Sequence, residues 1–289
     1  MVSFSKTIAV VTGGGSGLGR ALCLELSARG AVVYAADIDE PGAAETARLA
    51  SDERAGDARC GDAATGIVPR GAVRAVPLDV SDASSIRALL DRVVSEHGRL
   101  DLMVNNAAVN VIGLMADIPL ERAEEVLRIN LVGGMAGCAL SLAQMAEQGS
   151  GLIVNVASAA GLLAYPTTVP YTAAKAGLIA LSLSLRAEAR HHGVSVTVAC
   201  PGMVDTPIYR RQMVHGMDRA AYRRLLPSRA MDPRRAARII LDAASRGREI
   251  VVFPLTMRLA WLLARCVTPA ARLIRARAVR GFRAARRDG

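Results

Sequence analysis

The chain has 289 residues, 52% of them apolar and 21% charged, which suits one large α/β domain or two small ones with a sizeable core and excludes a disordered chain. Aromatic residues make up only 3%, too few for the stacking platforms of single-strand binders. The net charge of +10 is unevenly spread, with 14 basic and 19 acidic residues over 1–185 but 22 basic and 7 acidic over 186–289. A nucleic-acid coat over the whole chain is excluded, and any polyanion must be met by the last third.

The first residues run directly into a strand pattern, without the long apolar core and small-residue cleavage site of a signal peptide, so none is expected. Thr7–Thr12 reads as the first strand, followed by a glycine loop at Gly13–Gly19 and a helix over Arg20–Arg29. Ala31–Ala36 is the second strand, closed by Asp37, and Pro41–Ser51 suits a helix with proline in its first turn. Residues 52–72 form a long Gly/Ala/Asp-rich stretch, read as a surface insertion. Val73–Leu78 is a third strand, and Ser81 is expected to cap a helix from Asp82 to about Glu96. Strands at Leu100–Val104, Gly151–Val156, Val194–Ala199 and Glu249–Phe253 alternate with helices over Leu120–Gln148, Tyr171–His191 and Pro233–Arg246. Apolar strands without alternation, separated by helices, imply a parallel sheet covered on both faces. The expected fold is therefore a single doubly wound α/β domain of the Rossmann type over 1–253, with a basic amphipathic helical extension at 254–289. No run reaches the ~18 uninterrupted apolar residues of a bilayer span.

The glycine loop carries the first chemical signal. Gly13, Gly17 and Gly19 stand where a strand turns into a helix, so backbone can approach a ligand closely and the helix N-terminus can face a pyrophosphate. Asp37 ends the next strand, where a carboxylate accepts hydrogen bonds from an adenine-ribose diol and repels a 2′-phosphate. NAD is thus favoured over NADP, with simple helix capping by Asp37 as the competing reading. The second signal is Tyr171 and Lys175, four residues apart on one face of a predicted helix. A phenol with a pKa of ~10 needs a nearby cation to work as an acid/base near neutrality. The chain has 34 Arg and only two Lys, and one of those two is Lys175. Ser158 lies just beyond the fifth strand and could hold a substrate oxygen; without a GxSxG elbow it is not a hydrolase nucleophile. Five scattered cysteines and four histidines without ligand spacing support neither a disulfide framework nor a metal site.

Taken together, Thr12-Gly13-x3-Gly17-x-Gly19, Asp37, Asp79-Val80, Asn105-Asn106-Ala107-Ala108, Asn130, Ser158, Tyr171-x3-Lys175 and Pro201-Gly202 with Thr206 resemble the short-chain dehydrogenase/reductase family over about residues 6–253. Ala108 departs from the glycine the family usually carries. The resemblance implies a catalytic set of Tyr171 as acid/base, Lys175 to lower its pKa and hold the nicotinamide ribose, Ser158 to orient the substrate oxygen, and Asn130 to hold a relay water. It implies a cofactor cradle of Gly13, Ser16, Gly17, Leu18 and Gly19. Asp79 and Val80 would lie beside the adenine, Asn106 along the cleft, and Pro201, Gly202, Val204 and Thr206 near the nicotinamide. The implied activity is hydride transfer between NAD(P) and a secondary alcohol or ketone, by a homodimer or homotetramer built through the long helices. A non-catalytic cofactor-binding scaffold is the alternative, though such a scaffold would not need Ser158, Tyr171 and Lys175.

The expected substrate lid, Met203–Arg229, mixes Ile208, Tyr209, Met213, Met217 and Tyr222 with several arginines, which suits a lipophilic substrate or a water-facing amphipathic lid. From Arg258 onward there are nine Arg and one acid, Asp288, interleaved with Leu259, Leu262, Leu263, Leu273, Ile274, Val279 and Phe282. The extension over 255–287 thus reads as packing on an anionic membrane surface or on a partner subunit, with no nucleic acid as partner. The expected location is cytoplasmic, or peripheral at the inner face of the membrane.

Overall fold

Strand β1, Ile8–Thr12, shows why the strands read as unbroken apolar runs. Ala9 and Val11 enter one core with Leu22, Leu26 and Ile240, while Ile8 and Val10 enter a second core with Leu89, Val93 and Met145. Successive side chains of a strand leave on opposite faces, so a sheet buried on both sides must be apolar at every position. The computed structural model of the chain describes residues 3–55, 71–218, 220–222, 230–266, 276 and 279–283.

In chain order the elements are β1, α1 (Gly17–Ala28), β2 (Val32–Asp37), α2 (Glu40–Ala55), β3 (Val73–Pro77), α3 (Ala83–His97), β4 (Leu102–Asn105), β5 (Val111–Ile112) and α4 (Leu120–Leu127). They continue with α5 (Gly134–Gln148), β6 (Gly151–Val156), α6 (Ala159–Leu163), α7 (Val169–Ala189), β7 (Val194–Pro201), α8 (Ile208–Arg211), β8 (Met213–Val214), α9 (Pro233–Ser245), β9 (Ile250–Phe253) and α10 (Leu255–Cys266). Seven strands form one sheet in the order β3-β2-β1-β4-β6-β7-β9, every pair parallel. The order reverses between β1 and β4, where a doubly wound sheet opens its ligand crevice.

The helical run expected over Leu120–Gln148 is present, and is long and apolar enough by composition to cross a bilayer. It is interrupted by one wide π turn at Arg128–Gly133, and its Cys138 and Met145 belong to the buried core beside β4 and β6. Helix α3 is capped by Asp82, whose carboxylate accepts from Ser84 N at 2.8 Å, and not by Ser81, which donates its own N–H to Asp79 at 2.8 Å. Two adjacent short polar residues compete for one cap, and the turn Asp79 forms with Ser81 places Asp82 at the boundary. Helix α2 runs to Ala55, four residues past its expected end, while most of the expected insertion, 56–70, lies outside the described residues.

Inside the sheet a polar pin joins the ends of two central strands. Asn105 Nδ2 donates to Asn155 Oδ1 at 2.8 Å, and Asn155 Nδ2 donates to Ser182 Oγ on α7 at 2.8 Å. All three side chains are buried, so each hydrogen bond is worth keeping: an orphaned partner would cost about 1–3 kcal/mol. The pin holds the C-terminal ends of β4 and β6, and with them the loops that carry the site.

Candidate active site

A cleft of about 380 Å³ opens along the C-terminal ends of the strands, and nearly every residue singled out from the sequence lines it. At one end are Gly13, Ser16, Gly17, Leu18, Gly19 and Asp37, then Asp79, Val80 and Asn106, and at the other Ser158, Tyr171, Lys175, Pro201, Gly202, Val204 and Thr206. Asn130 is the exception: it lies behind the cleft, beside Lys175, on a small cavity of about 10 Å³.

The glycine loop fits a dinucleotide by what it leaves out. A Cβ at Gly19 would overlap the Gly13 carbonyl oxygen, and one at Gly13 would fall 2.8 Å from Ala107 Cα. Gly13 and Gly17 also sit at φ of 68° and 51°, in the left-handed region. The N-cap of α1, Ser16, makes no side-chain hydrogen bond to the helix, and the first turn carries no acid. The turn therefore offers bare N–H groups and the positive end of the helix dipole to an anion. Thr12 locks the cradle by accepting from Asn106 N at 3.0 Å and Ala107 N at 3.1 Å, and Asn106 Nδ2 donates to the Thr12 carbonyl at 2.9 Å. Asn106 lines the cleft as expected, but its amide is spent on holding the loop. Ala108 is accommodated without a left-handed backbone, so the methyl in place of glycine costs no strain.

Asp37 is positioned by two backbone donors, Gly15 N at 2.8 Å and Asp39 N at 2.9 Å. Neither is a helix-capping bond to α2, which begins at Glu40. Arg20 is engaged by the Gly15 carbonyl at 2.6 Å and by Thr46 Oγ1 at 3.0 Å, and Arg211, also on the cleft, pairs with Asp39 at 3.6 Å.

At the other end, α7 presents Tyr171 and Lys175 from successive turns. Lys175 is 2% exposed; its Nζ donates to the Val156 carbonyl at 2.8 Å and stands 5.6 Å from the centre of the Tyr171 ring. Burial pulls the ammonium down to about 8, partly offset by Cys200. Burial pushes the Tyr171 phenol up to about 12, against the downward pull of its hydrogen bond with Ser158. Ser158, which caps α6 by accepting from Ala160 N at 3.1 Å, is thus held between a helix end and the phenol. Nζ stands against the ring and the Val156 carbonyl, and desolvation is the larger of the two influences on the phenol.

The π turn explains Asn130. Its amide pairs with Val109 twice, accepting from N and donating to O, both at 2.8 Å. The cavity it shares with Lys175, Thr12 and Asn105 is about the size of one water. A spacing argument alone could not find this, because the wide turn shifts the helix register after Leu127.

The substrate end holds what sequence reasoning missed. A two-stranded parallel ribbon, β5 with β8, ties the segment after β4 to the lid. Buried Asn110 links the two by donating to Gln212 Oε1 at 3.0 Å and accepting from Thr168 Oγ1 at 2.7 Å. Ile208, Tyr209 and Met213 line the cleft, whereas Met217 and Tyr222 turn away into a separate cluster with Ile112, Leu114 and Val214. That cluster is completed by Phe282, 2% exposed. The C-terminal extension therefore returns to the lid, and Phe282 is not free to lie in a bilayer as the sequence pattern allowed. No local signal marks this contact, since the two partners are far apart in the chain.

Residues 7–214 match the family model described as short chain dehydrogenase, and the chain belongs to the short-chain dehydrogenase/reductase family. Among curated relatives, the putative oxidoreductase SadH of Mycobacterium tuberculosis is 31% identical over 270 residues, covering 92% of each chain. The probable oxidoreductase EphD of the same organism is 34% identical over 259 residues, but the chain spans only 41% of its length. D-threitol dehydrogenase of Mycolicibacterium smegmatis is 33% identical, covering 85% of this chain and 90% of the relative. Among solved structures, a Burkholderia phymatum short-chain dehydrogenase/reductase in complex with NAD superposes with a TM-score of 0.79 at 26% identity, covering 92% and 95% of the two chains. The fold is the Rossmann type of that family.

Proposed function

We propose that the protein interconverts a secondary alcohol and a ketone on a lipophilic substrate, using NAD in preference to NADP. The observation that carries the reading is the Ser158–Tyr171–Lys175 constellation at the end of the cleft remote from the glycine cradle. The bound nicotinamide supplies or accepts the hydride. Tyr171 donates a proton to the substrate oxygen or removes one, and with its pKa raised to about 12 the phenol is protonated at neutral pH. Ser158 holds the same oxygen, and Lys175, still charged below about pH 8, offsets negative charge that develops on the phenol. Asn130 and the one-water cavity give Lys175 a proton path.

Asp37 supports NAD, because a carboxylate held at the end of β2 repels a 2′-phosphate and the neighbouring Arg20 is already engaged. Ile208, Tyr209 and Met213 support an apolar substrate. The relative named D-threitol dehydrogenase supports an alcohol as the reacting group. Assembly as a homodimer or homotetramer is supported by exposed Val132 and Met135 on the first long helix and Leu183 on α7. Tyr171→Phe is the test. It should abolish nearly all turnover on a panel of secondary alcohols and ketones while NADH binding persists; turnover like that of the wild type would remove the assignment.

A further inference from the structure

Helix α10 packs in the reverse of the usual sense. Its half-buried residues are Met257, Ala260, Trp261 and Ala264, whereas Leu255, Leu259, Leu262 and Leu263 are 66, 50, 44 and 61% exposed. Their spacing puts all four on one stripe, opposite the face that touches the domain. A helix serving only its own domain would bury its leucines, since apolar area left in water costs free energy in proportion to its extent.

The charges around the stripe indicate what covers it. Exposed Arg258 lies on the same helix, and behind the helix a groove of about 470 Å³ is lined by Arg246, Arg248 and Arg258, with Ile239, Val251 and Trp261 as apolar wall. Asp242, which also lines the groove, is paired with Arg29 at 2.8 Å. Residues 267–289 add seven Arg and a single acid. Exposed leucines on a helix that also carries exposed Arg258 and adjoins an arginine groove match an anionic lipid surface, which takes apolar side chains below its headgroups and cations among them.

We propose that α10 and the arginine groove seat the enzyme on an anionic bilayer. The four leucines enter the headgroup boundary, and Arg246, Arg248 and Arg258 hold phosphate groups. Seating would also place the substrate end of the cleft near the lipid. Met257 packs against Gly202, which lines that cleft, so closely that a Cβ there would fall 2.8 Å from Met257 Cγ.

Trp261 is the only tryptophan of the chain and reports on this groove directly. Full-length protein should co-sediment with vesicles containing phosphatidylglycerol and not with phosphatidylcholine alone, with a blue shift of Trp261 emission and loss of binding at high salt. Leu259→Gln/Leu262→Gln/Leu263→Gln should lower the partition at least about tenfold, with turnover of a water-soluble ketone unchanged. Arg246→Gln/Arg248→Gln, on the exposed surface, gives a second variant should the first fail to fold, and should lower binding to anionic vesicles alone. Absence of binding by the wild type, or equal binding by the folded variants, would overturn the proposal. So would a fall in oligomeric mass in the leucine variant, because the stripe would then be a contact between copies.

Discussion

The two ends of the cleft are built differently. The glycine cradle lies within the first four strands of the sheet, where Asn106 bonds Thr12 across 94 residues of chain and Asp37 accepts from Gly15 N. The substrate end is assembled from distant pieces, with Asn110, Thr168 and Gln212 in one buried polar cluster and Phe282 from the far end of the chain in the adjoining apolar one. A site for a common dinucleotide can be one repeated solution, while a site for a particular substrate is made by whatever segments reach over the cleft.

The contrast can be broken from either side. The largest expected effect is at the cradle. Gly19→Val drives a side chain into the Gly13 carbonyl and should reduce NADH affinity by at least about 100-fold, read by fluorescence titration; near-normal affinity would mean that the loop can reshape. At the substrate end, Phe282→Ala removes a buried aromatic ring, a change that costs about 3–5 kcal/mol in a full core. Because this cluster serves the lid and not the sheet, the loss should show mainly as a raised KM for the ketone, with the NADH dissociation constant unchanged. A fall in both affinities would show that the two ends are not independent.

Buried Lys175 predicts a pH dependence. Its folded pKa of about 8 lies below the unfolded value of 10.5, so between those limits the unfolded chain binds more protons and this group's contribution to stability rises with pH. Across that window the wild type should gain on Lys175→Met by roughly 3 kcal/mol at most, measured by denaturant unfolding at stepped pH. Buried Cys23 and Cys138 are raised and oppose this above pH 9 in both proteins alike, so they cancel in the difference, whereas Cys200, which Lys175 pulls down, rises further in the variant. A flat difference would mean that the ammonium is not desolvated. The smallest effect lies far from the cleft: Asp82→Ala removes the α3 cap and should cost about 1 kcal/mol without changing kcat.

Legibility followed the same division. The strands were readable because burial on both faces demands unbroken apolar runs, as in Ile8–Thr12. Sixteen of the seventeen residues from Gly13 to Thr206 assigned to the site lie on the cleft, and the remaining one, Asn130, adjoins it behind Lys175. Asn130's pairing with Val109 was not readable, because a single π turn resets the helix face and leaves no mark in periodicity. The cap of α3 was misread by one residue, since Ser81 and Asp82 are equally good caps until the preceding turn is known.

Sequence by itself determined the doubly wound fold, the glycine loop at the end of β1 and the Tyr171–Lys175 pair, because each depends on residue type at short, regular spacing. Only tertiary structure decided that Asn110 and Gln212 share a buried bond, that Phe282 closes the lid cluster, and that the leucines of α10 face outward. A helical pattern specifies which residues share a face; which way that face turns depends on what the rest of the chain packs against it.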